Sequence, residues 1–117
     1  MRRWSRTPGV LVLWVALASA VLACGGRSLD DIEPAVGVTT VAVRDNMFGP
    51  RVIEVPAGTE VTWDWAEARR GHNVIGEGFA SDVLVEGEFR HTFTARGTYD
   101  YLCTLHGGMR GRVIVGE

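Results

Sequence analysis

An all-β fold, an antiparallel β-sandwich, is what the sequence predicts for residues 38–117, and three observations carry the prediction. Short β-branched and apolar runs follow one another between Gly and Pro turns. One of them, Glu60–Trp65, alternates with period two: Val61, Trp63 and Trp65 point one way, Thr62 and Asp64 the other. No amphipathic helix of useful length is visible after residue 24.

In chain order, the first predicted strand is Val38–Val43, β-branched and apolar. Arg51–Val55 follows and is closed by the turn signal Pro56-Ala57-Gly58. After the alternating Glu60–Trp65 comes a short apolar segment, His72–Ile75, behind Arg70-Gly71. Val83–Val85, Glu88–Thr94, Gly97–Leu102 and Arg112–Val115 complete the set. A domain of about 80 residues is marginal on its core alone. A bound metal adds stability by mass action on the folded state.

Ahead of this domain, residues 1–23 have the layout of an export signal. Arg2, Arg3 and Arg6 lead, and Val10–Ala23 is a nearly unbroken apolar run. That run is too short for a membrane-spanning helix, which needs about 20 residues. Arg2-Arg3 leaves the twin-arginine and general export routes both open. Val21-Leu22-Ala23-Cys24, followed by Gly25-Gly26, resembles a bacterial lipobox. The resemblance implies that Cys24 is lipidated and becomes the first mature residue, anchoring the protein to the outer face of the cytoplasmic membrane. Residues 24–37, rich in Gly and acidic residues, are expected to be a flexible tether reaching roughly 20 Å.

Losing residues 1–23 removes three of the twelve basic residues and none of the fourteen acidic ones, which leaves a formal charge of −5 and no lysine anywhere. This is no nucleic-acid footprint, since phosphate binding needs clustered positive charge. If Cys24 carries lipid, Cys103 is the one thiol of the exported domain and has no disulfide partner. A metal would occupy it.

The stretch Tyr101-Leu102-Cys103-Thr104-Leu105-His106-Gly107-Gly108-Met109 puts a thiolate, an imidazole and a thioether within seven residues. A compact loop between two strands can fold that spacing around one ion. The chain has three histidines, so a further imidazole must come from His72 or His91. His91 lies inside an alternating strand, a poor place from which to reach a loop at the end of a sandwich. His72, after Gly71 at a strand edge, is the better candidate. Two imidazoles and a thiolate in a plane, with a long weak Met above, make the blue-copper arrangement. Zinc competes, but structural zinc sites usually collect four Cys or His ligands. Singly, each residue has a bland role in packing or a turn; the ordered combination points to copper.

Residues 38–115 resemble the cupredoxin family, nearest to amicyanin and to plastocyanin- and halocyanin-like proteins. The residues that carry the resemblance are Gly71-His72-Asn73-Val74, the run Cys103 to Met109, and Arg110-Gly111-Arg112-Val113-Ile114-Val115. Asn46-Met47-Phe48-Gly49-Pro50 and Val55-Pro56-Ala57-Gly58-Thr59 are also similar. The resemblance implies a Greek-key β-sandwich of seven or eight strands with one copper ion near its end. It implies His72, Cys103, His106 and Met109 as ligands, and Asn73 as the residue that pins the Cys103 loop. Leu105 and Gly107-Gly108 depart from the family, where proline and bulkier residues are frequent. These departures lower loop rigidity and weaken the expectation of a hydrophobic docking patch around His106.

The expected function is one-electron transfer by a monomeric, non-enzymatic copper protein with redox-protein partners and no small-molecule substrate. Copper enzymes of this kind need histidines for a second centre, more than this chain supplies. The alternative is copper delivery or storage at the cell surface or in the periplasm, which favours exposed Met or His clusters.

Overall fold

A computed structural model of the protein describes residues 27–117. The predicted signal segment and Cys24 lie outside them. Ten strands form two facing sheets. β1 (Ala35–Val36), β4 (Val52–Pro56), β6 (Ile75–Gly76), β7 (Phe79–Ala80), β9 (Gly97–Leu102) and β10 (Arg110–Gly116) build a six-stranded sheet in the order β1-β4-β10-β9-β6-β7. β2 (Thr40–Arg44), β3 (Met47–Gly49), β5 (Thr59–Glu67) and β8 (Glu88–Phe93) build a four-stranded sheet in the order β3-β2-β5-β8.

The sandwich is as expected, but its sheets are mixed rather than antiparallel, and there are ten strands rather than seven or eight. β1 and β10 both pair β4 in parallel, and β2 pairs β5 in parallel. The cause is the crossover between sheets. β4 lies in the six-stranded sheet, so when the chain turns at Gly58 (φ 88°) β5 re-enters the four-stranded sheet in the direction of β2. The extra strands are two or three residues long, too short to show a period. The predicted strand Val83–Val85 is reduced to a single bridge between Leu84 and His72.

The alternation of β5 does what its pattern predicts. Val61, Trp63 and Trp65 are at most 1% exposed, against Ile53, Val55, Val113 and Val115 of the other sheet. Trp63 sits at the centre of an aromatic cluster, with its ring edge-on to Tyr101 at 5.3 Å and stacked on Phe79 at 5.7 Å. Such rings bury 150–250 Å² each and dominate the energetics of a small core.

Much of the expected flexible tether belongs to the folded domain. Leu29–Asp31 forms a 3-10 turn capped by the Ser28 hydroxyl, and β1 pairs with β4. Arg112 of β10 holds Asp30 by an ion pair of 2.6 Å, and Arg51 donates to the Arg27 carbonyl at 3.1 Å. These are contacts between residues 24 and 82 positions apart, which local sequence cannot display.

Candidate metal centre

β9 ends at Leu102 and β10 begins at Arg110, and these two residues are register partners. The connection between them is therefore the run from Cys103 to Met109, folded back on itself. The Cys103 N–H donates to the Met109 carbonyl at 3.0 Å, and the Met109 N–H donates to the His106 carbonyl at 3.3 Å. Gly108 takes φ +82°, a conformation that a side chain would strain. Cys103 and Met109 are 3% and 2% exposed.

His72 comes from the opposite side of the opening. Its backbone exchanges two hydrogen bonds with Leu84, at 3.0 and 2.9 Å, which fixes it as the chain leaves the sheet. Its side chain is fully buried, with Nδ1 3.9 Å from Cys103 Sγ. The His72 and His106 rings lie 4.5 Å apart. One donor atom from each of His72, Cys103 and His106 falls within 4.8 Å of the others. His91 is elsewhere, on the edge strand β8, stacked on Phe79 at 5.0 Å.

Two neighbours hold this cluster. Asn73 Oδ1 accepts from the Thr104 N–H at 2.8 Å, and its Nδ2 donates to the Thr104 hydroxyl at 2.8 Å. The residue after His72 is thereby locked to the residue after Cys103. The second neighbour, Asp45, was not anticipated from the sequence. Its Oδ1 lies 2.9 Å from His72 Nε2 and also accepts from the Arg69 and Arg70 N–H groups at 3.1 and 3.2 Å. The hydrogen bond with His72, then that from Arg69, holds the Asp45 carboxyl below the usual carboxylate range. A carboxylate only accepts, so a neutral His72 ring carries its proton on Nε2 and leaves the Nδ1 lone pair facing Cys103. Asp45 sits beside Asn46 (φ 66°) in the β2–β3 turn, where an Asp reads as an ordinary turn residue.

The rim is more apolar than its glycines suggest. Leu105 and Val83 are 51% and 54% exposed. Both approach Gly71: a Cβ there would lie 3.0 Å from Val83 Cγ1 and 4.0 Å from Leu105 Cδ1. His106 Nε2 is 3.3 Å from the Gly71 carbonyl, so this apolar pair adjoins the half-buried His106.

Comparisons with known proteins bear on the family and the fold. The family model of the cupredoxin-like domain matches residues 9–115. Amicyanin-alpha of Methylorubrum extorquens is 38% identical over 108 residues, covering 84% of this chain and 87% of that protein. The solved structure of an oxidised amicyanin variant superposes with a TM-score of 0.60 at 31% identity, over 68% of this chain and 83% of the other. A Cu-containing nitrite reductase from Thermus scotoductus SA-01 gives a TM-score of 0.62 at 29% identity over 74% of this chain, which spans only 23% of the reductase.

Proposed function

The chain belongs to the cupredoxin family, and we propose that it is a mononuclear type-1 copper protein carrying single electrons at the outer face of the cytoplasmic membrane. His72 through Nδ1, Cys103 through Sγ and His106 would be the strong ligands, and Met109 would supply a weaker thioether. The observation that carries this is the buried Cys103 sulfur, 3.9 Å from His72 Nδ1 inside a donor cluster no wider than 4.8 Å. In a trigonal plane, bonds of about 2.0–2.3 Å set donors roughly 3.5–3.7 Å apart, so the His72–Cys103 pair is already near that separation and the cluster would close on a metal by up to about 1 Å.

The donor chemistry fits copper better than zinc, because soft thiolate and thioether suit Cu(I) and imidazole suits Cu(II). Copper held in this way supplies reversible one-electron exchange. The chain keeps the donors still: Asn73 ties the two sides of the opening together, and Asp45 orients His72. Four protein ligands leave no open position for a substrate. With His91 on the β8 edge, none of the three histidines remains to build a second, catalytic centre. Leu105 and Val83 give a redox partner an apolar surface beside His106. A lipid at Cys24 would keep the domain at the membrane.

Addition of Cu(II) should produce an intense blue thiolate charge-transfer band, and Cys103→Ser should abolish the band with the sandwich still folded. A Cys103→Ser protein that stays intensely blue would refute the ligand set. Copper delivery, the competing role, predicts copper release to an acceptor without reversible reduction and reoxidation in place.

A further inference from the structure

Beside the metal loop runs a cleft of about 360 Å³ walled by Arg27, Arg51, Arg110 and Arg112, with Asp100 and Gly108 also in its lining. A second cavity of about 180 Å³ shares Arg51, Gly108 and Arg110 and extends to Met47 and Met109. Four of the chain's twelve basic residues meet here, on a domain whose remaining charge is predominantly acidic. Arg112 is satisfied by Asp100 and Asp30, each at 2.6 Å. Arg27, Arg51 and Arg110 have no carboxylate partner among the described residues. Three guanidinium groups at one cleft with so little acid to neutralise them attract an anion.

The chain's own layout says which anion. Arg27 is held in the cleft through its carbonyl by Arg51, and the following 3-10 turn is fixed by Arg112. Three residue steps separate Arg27 from Cys24, a reach of at most about 11 Å. That is comparable to the screening length of about 8–10 Å in physiological salt. An acyl-anchored Cys24 therefore brings this cleft to headgroup level, where its charge is felt. We propose that the Arg27–Arg51–Arg110–Arg112 cleft docks on the anionic headgroups of the membrane that holds the anchor, laying the Met109 flank of the metal end against the lipid surface. The proposal rests on the lipid anchor at Cys24 suggested above, and not on the identity of the metal. Each arginine near an anionic surface strengthens binding roughly fivefold. The exposed Met47 at the rim adds an apolar contact.

The test uses the full lipidated chain, purified from membranes and placed in nanodiscs of phosphatidylcholine alone or mixed with phosphatidylglycerol. Intact mass first establishes that Cys24 carries lipid; an unlipidated Cys24 overturns the anchor and the docking together. Hydroxyl-radical footprinting then follows Met47, 45% exposed, with Val85, 62% exposed and outside the cleft lining, as the internal reference. Met47 should be protected severalfold in the anionic discs and not in the zwitterionic ones. Arg51→Glu/Arg110→Glu should lose the protection. Arg110→Glu alone, which leaves the Arg51 bond to the Arg27 carbonyl intact, should lose most of it. Equal Met47 reactivity in the two lipids overturns the proposal. Protection by soluble polyglutamate, with no effect of phosphatidylglycerol, also overturns it and assigns the cleft to an acidic protein partner.

Discussion

Asp45→Ala removes the acceptor that lies 2.9 Å from His72 Nε2, together with the acceptor of the Arg69 and Arg70 amides. His72 is fully buried, so bulk water does not readily replace the lost partner. Loss of such an outer hydrogen bond to a metal-binding histidine typically costs about 10- to 100-fold in metal affinity. A nearby carboxylate stabilises Cu(II) more than Cu(I), so the weakening should fall mainly on the oxidised form. Each tenfold of preferential weakening raises the midpoint potential by about 59 mV, which places the expected rise between roughly 59 and 120 mV. Asp45→Asn separates the two contributions, since its amide oxygen still accepts from Nε2 but carries no charge. It should keep most of the affinity while still raising the potential. Chelator competition for Cu(II) and voltammetry of the loaded protein measure both quantities. A folded Asp45→Ala protein with unchanged affinity and unchanged potential refutes the orienting role.

Gly111→Ala would place a Cβ 2.3 Å from Cζ and Oη of Tyr101, where contacts of 3.5–4.0 Å are normal. Tyr101 is wedged against Phe48 and Trp63, so denaturant unfolding should show a loss of about 3 kcal/mol, and a shift below about 0.5 would contradict the packing. Cys24→Ala should abolish detergent-dependent membrane partitioning, and equal membrane retention of both forms would remove the lipobox assignment. The Arg112 hydrogen bond holds the Asp100 carboxyl below the usual carboxylate range. The folded-state value is depressed, so its stabilisation is present above the unfolded value of about 3.9 and fades as pH falls through the folded one. Asp100 is 55% exposed, so screening keeps that contribution under about 1 kcal/mol. Asp100→Asn should lower stability at neutral pH by that amount and flatten the acid limb of a pH–stability curve; an unaltered limb would show the pair contributes nothing.

Period-two alternation in Glu60–Trp65 and the strand Gly97–Leu102 were legible from consecutive residues, because a pleated strand half-buried in a core imposes its period on the sequence. That Cys103, His106 and Met109 share one tight connection was legible for a similar reason. Seven residues between two paired strands can close only as a tight loop, and Gly108 permits its left-handed turn. The choice of His72 over His91 followed from position, since the end of a strand can face such a loop and the middle of an edge strand does not. Three things belonged to the tertiary structure. The parallel pairing of β2 with β5 depends on β4 leaving for the other sheet, and the register inside any one strand is silent about that. Asp45 meets His72 across 27 positions in a turn whose local sequence suits any solvent-facing aspartate. Arg27, Arg51, Arg110 and Arg112 are scattered along the chain and become one charged cleft only when β4, β10 and the segment before β1 lie side by side. Backbone periodicity is a property of neighbours in sequence, whereas the field around a site sums over neighbours in space.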